Sequence, residues 1–127
     1  MHNDHLYEYA VIRYVPRVER EEFINVGLIM MCKRRRWIRV QLHLESGRLA
    51  LFDCAMSYEE IAHQLTSFTR IAEGLPEAGP VAAFEPEERF RWLTAVKSSC
   101  VQTSRPHCGL TADLDMTFDA LMKELVL

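Results

Sequence analysis

Two apolar runs joined by a short charged connection constrain this chain more than anything else in it. LYEYAVIRYV fills positions 6–15, and a second run ends in NVGLIMMC at 25–32. Pro16-Arg17-Val18-Glu19-Arg20-Glu21-Glu22 lies between them. Tyr7, Tyr9, Val11, Ile12, Tyr14 and Val15 are aromatic or β-branched, the types favoured on a packed pleated surface, so a strand is expected from about Leu6 to Val15. Pro16 cannot donate to a ladder and ends it. The second strand is expected from about Asn25 to Cys32. Leu28-Ile29-Met30-Met31 is apolar at consecutive positions, which predicts a central strand covered on both faces. Gly27 inside it marks a bulge or a close backbone approach. Arg13 shares a face with Tyr7, Tyr9, Val11 and Val15. A charge there needs a partner or a route to water, so an ion pair with Glu8 or with the acidic residues of 19–22 is expected, the alternative being a contact to a bound anion.

The rest of the chain supplies cover for this pair. Lys33-Arg34-Arg35-Arg36 turns the chain, and Trp37–Leu44 alternates: Ile38, Val40, Leu42 and Leu44 on one face, Trp37, Arg39, Gln41 and His43 on the other. Glu45-Ser46-Gly47 reads as a turn and Arg48–Phe52 as a short edge strand. Ser57-Tyr58-Glu59-Glu60 is a capping box, in which the serine hydroxyl and Glu60 satisfy each other's backbone amides. Ile61, Leu65, Phe68, Ala72 and Leu75 then recur at helical spacing, and Gly74 and Pro76 stop the helix, which is placed at 57–73. Residues 76–85 read as a linker. Pro86 opens a second helix that ends near Lys97, with Phe90, Leu93 and Val96 buried and Trp92 widening the stripe. Ser98–Ser104 reads as a fourth strand and Arg105–Gly109 as a loop. Thr111 or Asp113 caps a third helix carrying Leu114, Phe118, Leu121, Met122 and Leu125. The expected fold is α+β: a mostly antiparallel sheet of three to five strands packed against about three helices, mainly on one face. Residues 1–127 form one domain, with 1–5 a frayed tail.

Composition narrows the function classes. Near half of the 127 residues are hydrophobic, 26% are charged, and the formal net charge is -3. An acidic balance argues against a general nucleic-acid binder. No apolar run reaches the roughly 18 residues of a membrane span. Met1-His2-Asn3-Asp4-His5 lacks the basic and apolar segments of a secretory signal, so a cytoplasmic location is expected. Cys32, Cys54, Cys100 and Cys108 form no C-x-x-C pair and are expected to be reduced. No H-E-x-x-H, P-loop or G-x-G-x-x-G occurs, and no metal or cofactor is expected.

Two groups of residues could carry chemistry. Between Ser98 and Gly109, His107 could act as a base for Ser104 or Cys108, with Asp113 or Asp115 orienting the imidazole. The plainer reading is that these hydroxyls end a strand while His107 satisfies loop backbone. The second group is Lys33, Arg34, Arg35, Arg36 and Arg39, with Trp37 and His43 as stacking groups, a possible phosphate or nucleic-acid surface. The plainer reading is a solvated hairpin tip whose charges discourage edge pairing.

Certain segments resemble a known family. Tyr9-Ala10-Val11-Ile12-Arg13, Pro16-Arg17-Val18-Glu19-Arg20 and Phe23-Ile24-Asn25-Val26-Gly27 are similar to the opening of the bacterial domain-of-unknown-function family 3037. Glu88-Arg89-Phe90-Arg91-Trp92-Leu93, Ser98-Ser99, Gln102-Thr103-Ser104 and His107 with Gly109-Leu110 extend the likeness over nearly the whole chain. Cys108 departs from it, standing where a small hydroxyl residue is expected. The resemblance implies a small cytoplasmic bacterial protein of unknown activity, associated with genes for HipA-like serine/threonine kinases. It implies that a shared function would draw on Arg13, Arg17, Arg20, Asn25, Gly27, Arg89, Arg91, Trp92, Ser99, Gln102, Ser104 and His107. The leading expectation is a non-catalytic interaction or regulatory module acting with a protein partner, a HipA-like kinase among the candidates. A small hydrolase or transferase using His107 and Ser104 is the first alternative, and a phosphate or nucleic-acid binder through Lys33–Arg39 the second.

Overall fold

The computed structural model describes residues 4–52, 54, 56–95 and 100–127. At its centre lies β1 (His5–Tyr14), paired antiparallel along one edge with β2 (Ile24–Cys32). Outside β2 runs β3 (Trp37–Leu42), also antiparallel. The other edge of β1 is shared by two short strands. β4 (Val101–Thr103) pairs with Ile12–Tyr14, and β5 (His107–Thr111) pairs with His5–Tyr9. The result is a five-stranded antiparallel sheet, and with its helices an α+β fold.

The β1–β2 register slips once. Ile12 faces Gly27, but Arg13 faces Asn25, which leaves Val26 as an extra residue. This bulge switches the alternation of β2. Ile24 and Val26 enter one core together with Ile29 and Met31, whereas Leu28, Met30 and Cys32 enter the other. A one-residue slip reverses every side chain beyond it, so the bulge lets β2 be apolar on both faces while β1 keeps strict alternation. Gly27 is required because the strands crowd it: a Cβ there would lie 2.7 Å from the Gln41 carbonyl oxygen.

Helices cover both faces of the sheet. On the face of Ala10, Ile12 and Tyr14 lie α1 (Ser46–Leu49), α2 (Tyr58–Ala72) and α3 (Pro86–Leu93), which bury Leu49, Ile61, Leu65, Phe68, Phe90 and Leu93. On the face of Val11, Leu28 and Met30 lies α4 (Leu114–Leu125), with Leu114, Phe118 and Met122 inward. Most of the helical cover thus lies on one face, as expected, and α4 closes the other. β2 is apolar on both sides, and a second core is the only way to keep Leu28 and Met30 from water.

Several boundaries follow the sequence. The Ser57–Glu60 capping box is complete in both directions, and Asp113 caps α4 by accepting from the Met116 amide. Others are corrected. Ser46–Leu49 is a turn of helix rather than part of a turn and edge strand, because Arg48 and Leu49 donate back to the Glu45 carbonyl. Residues 105–109 are not all loop: His107 begins β5, held by pairing to distant β1. The 76–85 linker contains 3-10 turns at Pro76–Ala78 and Pro80–Ala83. Helix α3 ends at Leu93, short of the expected Lys97, which lies outside the described residues together with Val96. Trp92 is exposed rather than buried.

Two outcomes follow from this packing. Gly27→Ala forces a methyl against rigid backbone and should lower stability by about 1–3 kcal/mol in urea denaturation. The buried Tyr14 hydroxyl has its pKa pushed up to about 12, first by burial and then by the Cys54 and Cys100 thiols. The fold therefore favours the neutral phenol. Its contribution is complete below the ordinary value of 10.0 and is lost as pH rises from there towards 12. Tyr14→Phe should flatten this alkaline loss in denaturation curves recorded across that window.

Candidate functional site

The shared edge of β1 is where the sequence placed its catalytic candidates. Ser104 sits between β4 and β5 and is 7% exposed, the buried polar residue of the described chain. Its amide donates to the Val11 carbonyl at 2.8 Å. Its hydroxyl accepts from the Val11 amide at 2.9 Å and donates to the Arg105 carbonyl at 3.1 Å. The hydroxyl thus stands in for the backbone acceptor that the ladder lacks where β4 breaks from β5. His107 is exposed and rests against the Tyr9 ring, with centroids 5.4 Å apart. No hydrogen bond joins His107 to Ser104 among the described residues. The two acids considered as orienters are engaged elsewhere: Asp113 caps α4 and Asp115 pairs with Arg39.

The basic group of 33–39 is largely paired within the chain. Lys33 meets Glu87, Arg36 meets Glu85, and Arg39 forks onto Asp115 and Asp119 while its guanidinium stacks on Phe118. Arg35 lies 3.3 Å from the His5 ring. Arg34 has no partner among the described residues. This arrangement leaves few free cations for a phosphate backbone.

The remaining arginines divide by role. Arg89 donates to the Ala72 and Phe84 carbonyls and closes the C-terminal end of α2. Arg91 is bidentate to Glu8 on β1 and also reaches Glu87, and the Glu8 hydrogen bond raises its pKa further. Arg17 pairs with Glu19 and Arg20 with Glu22 in the β1–β2 connection. Arg13 corrects the expected ion pair: it stacks on Phe23 at 4.0 Å from the ring centroid and meets no carboxylate among the described residues. Glu8, its expected partner, is taken by Arg91. Gln102 faces Arg13 across the β1–β4 pairing. Asn25 donates to the Leu125 carbonyl and ties α4 to the sheet. Ser99 lies outside the described residues. No group of three or more His, Cys, Asp or Glu among the described residues is placed to hold a metal, and no described helix is long and apolar enough to cross a membrane.

The most exposed apolar feature of this edge carries no local signal in the sequence. Leu6 and Leu110 face one another across the β1–β5 pairing and are 62% and 67% exposed. With Asp4, Lys33 and Arg34 they line a surface cleft of about 620 Å³. Recognising it required β5, whose glycine and cysteine hide a strand pattern. Gly109 is tolerated there because Tyr7 lies across it, so close that a Cβ would meet the Tyr7 oxygen at 2.5 Å.

A family model described as a protein of unknown function (DUF3037) matches residues 9–126. The chain belongs to this family. No curated protein and no solved structure matches it. Within this DUF3037 protein, the two catalytic candidates separate in a simple experiment. Ser104→Ala strips the Val11 amide of its acceptor and should cost about 1–3 kcal/mol in urea melts. His107→Ala, at an exposed position, should change stability by less than about 1 kcal/mol.

Proposed function

We propose that this protein is a non-catalytic interaction module that docks a protein partner along β5. The carrying observation is the Leu6–Leu110 pair, exposed at a sheet edge that no described strand covers, beside Arg34, which has no partner among the described residues. Two large apolar side chains facing each other in water form a natural anchor, each worth roughly 1.5–3 kcal/mol when fully buried. A free edge strand recruits an extended segment through its backbone, and adjacent side chains give the specificity. The fitting partner segment is extended, carries an apolar residue over the two leucines, and bears a carboxylate towards Arg34 and Lys33. A HipA-like kinase, suggested by the family resemblance, is the first candidate. The same reading takes the protein to be cytoplasmic.

The catalytic alternative finds less support, because the Ser104 hydroxyl is committed to the ladder. The nucleic-acid alternative is weakened by the acidic partners of Lys33, Arg36 and Arg39.

The test is a pull-down from the protein's own cell lysate with the tagged chain and a Leu6→Glu, Leu110→Glu variant, followed by hydrogen exchange on the reconstituted complex. A stoichiometric partner should be lost in the variant, and its binding should slow exchange at His107–Thr111. A partner retained by the folded variant, with protection elsewhere, would overturn this docking surface.

A further inference from the structure

At the opposite end of β1 the structure keeps a cation with no counter-ion among the described residues. The Arg13 guanidinium lies over the Phe23 ring, and its Nε is buried with no acceptor. No hydrogen bond or ion pair engages its terminal nitrogens among the described residues. Burial lowers the Arg13 pKa, a sign that the charge is held at a cost. A half-buried guanidinium fixed by stacking and left with free donors is pre-arranged for a planar oxyanion.

The rim defines which anion fits. Arg13, Val15, Phe23 and Gln102 share a cleft of about 270 Å³ with Glu21 and Glu22. Glu22 is paired with Arg20 at 2.7 Å. Glu21 has no cation among the described residues, and its backbone is held at a φ of 55°, a conformation that non-glycine residues seldom keep without support. A bare phosphate or sulfate entering this cleft would meet two carboxylates. A ligand carrying both signs would satisfy Arg13 and Glu21 together, with Val15 and Phe23 as an apolar wall for its remainder. The volume falls just below the roughly 300–1,000 Å³ of drug-sized sites, so the ligand is small.

We propose that this cleft binds a zwitterion of the α-amino-acid class, its carboxylate on Arg13 and its ammonium on Glu21. The site is separate from the β5 edge and independent of partner docking there.

The experiment titrates the isotopically labelled full chain with each standard L-amino acid and follows backbone amide shifts. At least one amino acid should produce saturable shifts at Arg13, Glu21 and Gln102. Its N-acetyl and carboxamide derivatives, each lacking one charge, should bind about tenfold or more weakly, a loss of about 1.4 kcal/mol. Arg13→Gln and Glu21→Gln should each weaken the free amino acid to a similar degree. Glu21→Gln lies on the surface and keeps the test valid should Arg13→Gln unfold. The proposal is overturned if no amino acid shifts these amides, as would follow if Arg13 and Glu21 closed on each other in solution. It is equally overturned if the N-acetyl derivative binds as well as the free form, or if inorganic phosphate binds better and Glu21→Gln tightens it.

Discussion

The bulge at Val26–Gly27 is the constraint on which the rest of the molecule depends. β1 alternates without interruption, so its odd and even residues go to different cores. β2 matches it only by absorbing one residue, and Gly27 supplies the backbone room beneath Gln41. Without the slip, either Ile24 and Val26 or Leu28 and Met30 would sit on the wrong side. With it, α2 and α3 seal one face and α4 the other. The bulge also sets Arg13 opposite Asn25, and the Asn25 amide anchors the end of α4 through the Leu125 carbonyl. The geometry at the Arg13 cleft is thus a by-product of the same extra residue that makes two cores possible.

Local signals were legible and distant pairings were not. The capping box at Ser57, the proline start of α3 and the apolar runs of β1 and β2 each carry their instructions within a few residues. The helix at Ser46–Leu49 carries no such signal, because Arg48–Phe52 lacks a full helical turn of apolar repeats. β5 reads as loop in the sequence because His107, Cys108 and Gly109 have little strand character of their own. Their conformation is imposed by β1, about a hundred positions earlier in the chain. Candidate site residues suffered in the same way. Nothing near Arg91 announces Glu8, nothing near Arg39 announces Asp115, and nothing near Ser104 announces the Val11 amide. Arginines that look available in the sequence, such as Arg39, Arg89 and Arg91, are structural ties between elements, whereas Arg13, expected to be ion-paired, stacks on Phe23 and meets no carboxylate among the described residues.

The charge pattern gains meaning from that pairing. Exposed ion pairs contribute little singly, commonly under about 1 kcal/mol, yet here they join elements that lie far apart in the sequence. Lys33 and Arg36 hold the β2–β3 turn to the start of α3, and Arg39 holds β3 to α4. They fix orientation more than they add stability. Such pairs weaken as salt rises, while the two apolar cores that hold the helices do not, so ionic strength acts first on the exposed β2–β3 turn.

The break at Ser104 has a further consequence for how this edge can meet other chains. From Val101 to Thr111 the outer border of β1 would otherwise be one long open strand, the kind of surface on which sheets grow without limit. Ser104 turns the chain away at mid-length, and Pro106 withholds a backbone donor just after it. Each remaining piece is short, and the hydroxyl closes the gap so that the Val11 amide of β1 stays bonded where the strands part. Whatever meets this border therefore finds two brief stretches rather than the first rung of a fibre.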